Sequence, residues 1–392
     1  LISENEPGLE LKKVYLDSAA TTQVRDEVIA EMQKALAECY GNPSSSHSFG
    51  RAAKTAVETA RKTIAKYLNA QPSEIIFTSG GTEADNMILR CAVRDLGVQT
   101  VITTKIEHHA VLHTAEDLVK EHGISLEYVN LDDTGNPDLS HLEELLKKDD
   151  SKKLVSLMHV NNEIGNLVDI QKISEICTRN AALLHSDTVQ SIGHYTWDLK
   201  QIPIDFLTAA AHKFHGPKGI GFAFIRKNSG LKPFISGGSQ ERGFRGGTES
   251  YHNIVGLEKA FMAAYDNLET ERAYVKDLKR YFIETIQKAI PGIKFNGLSG
   301  DLQQSTYTLV NVCLPIDAHK ALMLLFHLDI KGIACSKGSA CQSGSDLGSH
   351  VLTEILSEED LKKPSIRFSF SKYNTKKELD YVIGVLKEFM TT

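Results

Sequence analysis

The sequence predicts an α/β fold in which a mainly parallel central sheet fills a large domain and a smaller α/β domain is attached to it. Short apolar, strand-like runs alternate with amphipathic helical stretches from about residue 50 to about residue 260. At 392 residues the chain is longer than one ordinary hydrophobic core accommodates. After about residue 262 the alternation gives way to a long charged helix and a shorter mixed segment. The expected division is a large domain over 18–261, and a small domain made of 1–17 together with 262–392.

Taken in order, Ala53, Val57, Ala60, Ile64 and Leu68 recur three and four positions apart and give a helix with one apolar face. Buried strands are expected at Glu74 to Thr78, Thr100 to Thr103, Leu154 to Val160, Ala182 to His185, Asp205 to Ala209 and Gly219 to Ile225. The charged helix covers Glu269 to Ile290, and an amphipathic tail runs from Lys376 to Met390. In sheets of this kind ligands bind beyond the carboxyl ends of the strands, which is where the polar motifs fall.

Apolar residues make up 41% and charged residues 24%, the range of an ordinary globular protein. A net charge of -6 without a long basic run argues against nucleic acid as a partner. No apolar stretch reaches the roughly 20 residues that span a bilayer, and Leu1 to Leu11 is acidic rather than basic and then apolar. A cytoplasmic protein with no membrane contact is expected. The 6 cysteines include no Cys-x-x-Cys pair, so any thiol chemistry belongs to a single cysteine.

Between a strand and a helix stands Ser79-Gly80-Gly81-Thr82-Glu83, where exposed N–H groups at a helix start suit a phosphate; plain helix capping uses the same residues. Ala211-His212-Lys213-Phe214-His215-Gly216 follows a strand end and places a lysine on a stiff turn, as imine chemistry requires. Asp187 ends the preceding strand. An imine lysine and a carboxylate that keeps a pyridine nitrogen protonated are the two demands of pyridoxal 5'-phosphate (PLP). His109 and His113 share a helical face, but no neighbouring Cys or carboxylate completes a ligand set, so no metal is expected.

These segments, together with Tyr15-Leu16-Asp17-Ser18-Ala19-Ala20-Thr21-Thr22, Gly41-Asn42-Pro43-Ser44-Ser45, Glu107-His108, Asn161-Asn162-Glu163-Ile164-Gly165 and Gly338-Ser339-Ala340-Cys341, resemble the cysteine desulfurases of nitrogen fixation and iron–sulfur assembly over nearly the whole chain. The resemblance implies a fold-type I PLP enzyme and a sulfurtransferase that converts L-cysteine to L-alanine. Lys213 would carry PLP, and its freed amine would take the substrate's Cα proton. Asp187 would face the ring nitrogen. His108 would stack on the ring and assist proton transfer. Gly81, Thr82 and His212 would hold the phosphate, and Asn162 and Gln190 the ring oxygen and its surroundings. Arg367, with Asn162, would bind the substrate, the arginine clamping its carboxylate through paired hydrogen bonds. Thr248, in Arg245-Gly246-Gly247-Thr248, would reach the partner's phosphate in a homodimer. Cys341 would receive the sulfur as a persulfide and pass it to a sulfur acceptor or iron–sulfur scaffold protein.

The chain departs from that family's pattern in places. Ala210 stands where a phosphate-binding serine is common, Ser336-Lys337 where Ser-Ser is common, and Ser371-Lys372-Tyr373 where Gly-Arg-Phe is common. Lys337 adds positive charge near Cys341, which favours thiolate. Selenocysteine lyase shares the same cofactor logic, an aminotransferase would explain Lys213 and Asp187 but not Cys341, and a catalytically impaired scaffold is the reading that Ala210 raises.

Overall fold

A computed structural model describes residues 13–337 and 348–391. In chain order the elements are β1 (Val14–Tyr15), α1 (Asp26–Glu38), α2 (Ser48–Tyr67), β2 (Ile75–Thr78), α3 (Gly81–Leu96), β3 (Thr100–Thr103), α4 (His109–His122), β4 (Ser125–Tyr128), α5 (Leu139–Lys147), β5 (Lys153–Ser156), α6 (Ile170–Arg179), β6 (Leu183–Asp187), β7 (Phe206–Ala210), β8 (Gly221–Ile225), α7 (Tyr251–Asp266), α8 (Leu268–Ala289), β9 (Lys294–Phe295), β10 (Leu309–Cys313), α9 (Ala318–Ile330), β11 (Ile333–Ala334), α10 (His350–Ile355), α11 (Glu358–Leu361), β12 (Ser365–Ser369) and α12 (Lys376–Thr391). A 7-stranded sheet has the order β2-β8-β7-β6-β5-β3-β4, with only β8 antiparallel to its neighbours. Its inner strands are buried on both faces, which explains their unbroken apolar runs.

The apolar face of α2, carrying Val57, Ala60, Ile64 and Ala65, packs with Ile254, Leu257 and Phe261 of α7 in the core on one side of this sheet. On the other side α3 and α4 close a core through Met87, Ile88, Val111 and Ala115. A separate core gathers Val14 and Leu16 with α8, β10, β12 and α12, and includes Phe282, Val310, Phe368 and Leu386. There β10 pairs antiparallel with β12 and β9, while β1 pairs in parallel with β11. No helix among the described residues is long and apolar enough to cross a membrane.

Two strand expectations change. The run expected to extend to Val160 ends as a strand at Ser156: the Met158 N–H turns to the buried Glu107 carboxyl at 2.8 Å rather than to β3, while the Leu157 and His159 N–H groups still donate to the His185 and Asp187 carbonyls at 3.2 and 3.1 Å. The edge strand β4 had no sequence signal: Ser-Leu-Glu-Tyr is only partly buried and lacks the apolar run that marks the inner strands.

A buried ion pair ties the loop after β8 to this frame. Arg61 Nη1 and Nη2 donate to Glu241 Oε2 and Oε1 at 2.8 and 2.9 Å, Arg61 Nη1 also reaches the Ile75 carbonyl at 2.6 Å, and the Phe77 N–H donates to Glu241 Oε2 at 2.7 Å. Glu241 adopts a left-handed φ of 45°, a conformation this bonding holds in place. Glu241→Ala is expected to lower unfolding free energy by about 3 kcal/mol in urea titration, because it leaves the buried Arg61 with only the partly exposed Glu58 as counter-charge. Replacing both partners by apolar residues should restore part of that loss, and equal losses in the single and double variants would remove the ion pair as the cause.

Candidate active site

The carboxyl ends of the parallel strands open onto a cavity of about 300 Å³. Gly81, Thr82, His108, Asn162, Asp187, Gln190, His212, Lys213 and Arg367 all line it. Lys213 closes a 3₁₀ turn, Ala211–Lys213, directly after β7, and its Nζ donates to the carbonyls of Ala19 at 2.6 Å and Ala20 at 3.0 Å. Asp187 is the last residue of β6; its Oδ1 accepts from the Val189 N–H at 2.9 Å. Burial first, and the neighbouring Asp85 second, push the Asp187 carboxyl up to about 7, against the Val189 amide, His185 and Lys213.

Helix α3 begins at Gly81 with no side-chain cap, so its first N–H groups face the cavity end without a protein partner from a side chain. A Cβ at Gly81 would stand 2.5 Å from Val189 Cγ2, which is why the residue at this close approach is glycine. His212 shares its Nδ1 with Thr21 Oγ1 at 3.2 Å, and burial followed by Lys213 and Lys218 lowers it to about 4, leaving it neutral. His108 caps α4: its Nδ1 accepts from the Ala110 N–H at 3.1 Å, so the proton of the neutral ring sits on Nε2. Burial and then Lys213 lower His108 to about 4. Gln190 Nε2 donates to the Ala19 carbonyl at 2.9 Å. Arg367, 2% exposed, donates from Nη1 to the Asn162 carbonyl at 2.7 Å and from Nη2 to Asp17 Oδ1 at 3.1 Å.

Thr248 does not line this cavity. It borders a separate depression with Ser79, Glu241 and Arg245. Arg245 links the two regions, donating from Nε to Glu83 Oε1 at 2.9 Å at the start of α3. Cys341 lies outside the described residues. Cys335 is partly buried, with burial and then Asp17 pushing its thiol up to about 12, the condition of an unreactive cysteine. Among the described residues no group of 3 or more His, Cys, Asp or Glu side chains is arranged to hold a metal.

The cavity also contains Asp85, Glu163 and His350, which sequence reasoning did not single out. Asp85 follows Gly81 and Thr82 by four and three positions, so the helical period alone places it on their face. Its Oδ1 lies 3.4 Å from His185 Nε2, and His185 Nδ1 lies 2.8 Å from Ser156 Oγ. Burial pushes Asp85 up to about 7 and lowers His185 to about 4, so the pair is uncharged only at pH values between these two. His350 bonds the Glu107 carbonyl through Nε2 at 2.9 Å and stacks 4.4 Å from His109; nothing in the sequence around it signals that contact.

Such a cavity takes a ring that presents a cation to Asp187, an anion to the open end of α3 and a carbonyl carbon to Lys213, which is the outline of PLP. Residues 14–382 match the aminotransferase class-V family. A protein of Dictyoglomus turgidum named cysteine desulfurase IscS is 40% identical over 381 residues, 97% of this chain and 95% of that protein. Among solved structures, a NifS-like protein superimposes with a TM-score of 0.88 at 35% identity, covering 97% of this chain and 100% of that one. Another, described as SspA in complex with cysteine, reaches 0.79 at 32% identity, with 93% and 100% covered. The fold and site are those of a PLP-dependent enzyme of the class-V aminotransferase group. Within that group the chain belongs to the cysteine desulfurase family.

The Asp187 carboxyl gives a pH test. Its folded-state pKa is raised to about 7 by burial and Asp85, whereas the unfolded carboxyl titrates near 4. Cofactor-free protein therefore loses stability through this group as pH rises from about 4 to about 7. Asp187→Asn should remove that loss. The melting temperature of the cofactor-free variant, relative to cofactor-free wild type, is expected to rise by several degrees between about pH 5 and pH 8; a difference that stays flat with pH would show that Asp187 does not titrate in that range.

Proposed function

We propose that the protein is a cysteine desulfurase: it takes the sulfur from L-cysteine, releases L-alanine and delivers the sulfur to an acceptor or scaffold protein in iron–sulfur assembly. The observation that carries this reading is the common cavity of Lys213, Asp187 and Arg367, which sets an amine, a cation acceptor and a buried guanidinium around one small space. The relatives named for desulfuration, and the solved relative described with cysteine, support the choice of substrate.

In this reading Lys213 would hold PLP, Asp187 would keep the ring nitrogen protonated, Gly81, Thr82 and His212 would hold the phosphate, and Asn162 and Gln190 would bind the ring oxygen and its surroundings. Bound PLP supplies an electron sink for the pair released at the substrate's Cα. Arg367 fixes the substrate carboxylate, with Asn162 beside it. The Lys213 amine, freed when the substrate's amine takes its place and held beside the Ala19 and Ala20 carbonyls, would accept the Cα proton. Neutral His108 would stack on the cofactor and assist proton transfer through Nε2. The Cys341 thiolate then attacks the substrate sulfur. An S–S bond forms, the C–S bond breaks with its electron pair left on Cβ, and a proton delivered to Cβ and one returned to Cα complete alanine. Ala210 offers no hydroxyl to the phosphate, a loss of roughly 0.5–1.5 kcal/mol in cofactor affinity.

A homodimer, with Thr248 completing the partner's phosphate site, belongs to the same proposal. Support comes from Tyr40, 77% exposed, and Phe49, 52% exposed, which stack on each other 5.4 Å apart beside the loop that Gln240 joins at Ser44. The separation of two cores supports the division into a large domain, 18–261, and a small one, 1–17 plus 262–392. We place the reaction in the cytoplasm, where thiols stay reduced.

With a reductant present, wild type is expected to release alanine and sulfide from L-cysteine, while Cys341→Ala keeps the PLP absorbance and loses at least about a hundredfold in sulfide release. Wild type that carries PLP yet prefers selenocysteine, or yields alanine only with a keto-acid partner, would replace this reading. In light scattering the protein should have the mass of a dimer, and Thr248→Ala should weaken PLP binding severalfold, on the scale of one lost phosphate hydrogen bond; unchanged PLP affinity in a dimer would remove Thr248 from the site.

A further inference from the structure

Arg367 already holds a carboxylate. Besides the bonds to Asp17 and to the Asn162 carbonyl, its Nε is buried without a hydrogen-bond partner among the described residues. The Asp17 side chain is 19% exposed and its Oδ1 also accepts from Ser336 Oγ at 2.8 Å. The backbones around this contact are fixed. The Arg367 N–H donates to the Ser336 carbonyl at 2.8 Å, Asp17 bridges to Ser369, and the Ala20 N–H donates to the Asp17 carbonyl at 2.9 Å. The side chain of Asp17 is therefore the part free to change partner.

We propose that Asp17 is a place-holding carboxylate on Arg367, exchanged for the carboxylate of the amino-acid substrate, and that this exchange limits how tightly the site holds an α-carboxylate. The proposal rests on Arg367 being the substrate clamp. A guanidinium buried without a counter-charge is costly, and Asp17 removes that cost before a ligand arrives. Two carboxylates on one guanidinium repel each other in a site of low dielectric. The guanidinium has five N–H donors, so after the Asn162 carbonyl takes one, the free Nε–H and an Nη proton still offer an edge for a bidentate ligand. An incoming carboxylate takes that edge and pushes the Asp17 charge off Nη2, and the Ser336 hydroxyl remains on Asp17 as its hydrogen-bond donor.

Recognition becomes the replacement of one charge pair by another. An amine without a carboxylate leaves the Asp17 pair intact and gains nothing from Arg367. A product that keeps its carboxylate is returned to solvent by the same competition, so tight binding of alanine is avoided.

The experiment measures binding of L-alanine and of ethylamine to the PLP-loaded enzyme, read from the absorbance of the bound cofactor, in wild type, Asp17→Asn and Arg367→Lys. An asparagine at 17 keeps an oxygen that accepts from Arg367 and Ser336 but removes the charge. Asp17→Asn is expected to bind L-alanine about threefold to tenfold tighter, the scale of one charge-assisted hydrogen bond that need no longer be exchanged, and to bind ethylamine as wild type does. If Arg367→Lys weakens L-alanine binding but Asp17→Asn leaves it unchanged or weakens it, Asp17 only orients the arginine and the exchange is overturned. If Arg367→Lys leaves L-alanine binding as in wild type, the clamp itself is wrong, and the exchange falls with it.

Discussion

The structure is organised around a carboxyl group that the sheet buries deeply enough to hold well above its ordinary range. Asp187 sits at the end of β6 with 6% of its surface exposed, and Asp85 crowds it from α3. Burying such a charge alone costs several kcal/mol. The carboxyl therefore either keeps its proton or acquires a cation, and a protonated pyridine ring is a cation of the right shape. The rest of the cavity follows from that need: Lys213 on the adjacent strand end, neutral His108 and His212 at the sides, and the open start of α3 at the far end.

The neutrality of those histidines matters as much as the charge of Asp187. Burial and then the Lys213 ammonium hold His108 and His212 near 4, so neither competes with the cofactor's ring for the aspartate. Asp85 and His185 extend the same logic one layer deeper. Both are buried, both favour their uncharged forms, and the pair lies between Asp187 and the hydroxyl of Ser156.

Much of this was legible in the sequence because Asp187 and Lys213 stand at strand ends, and strand ends are marked by where apolar runs stop. The inner strands announced themselves for the same reason. β4 did not, since an edge strand with one wet face carries no apolar run, and the overlong β5 expectation failed because a side chain, Glu107, took an N–H that the apolar run Leu154–Leu157 seemed to promise to the sheet. Asp85 could have been found from helical spacing. Glu163 sat unread inside a motif already quoted. His350 could not have been found, because its approach to Glu107 and His109 is made by the packing of distant segments rather than by any local pattern.

The segment from Tyr15 to Ala20 has a bearing on how the chain matures during synthesis. Its carbonyls hold Lys213, yet the segment itself is held from the far end of the chain: the Ala19 N–H donates to Ser369 Oγ across 350 positions, Asp17 meets Arg367 across another 350, and β1 pairs with β11. A ribosome releases the lysine, the aspartate and most of the sheet well before it releases β12. Until that strand emerges the lysine's seat is anchored only by earlier parts of the chain, through Gln190 on the Ala19 carbonyl and Thr22 on the His212 carbonyl, so a nascent chain holds the sheet and its cores with a cofactor site still short of its last supports.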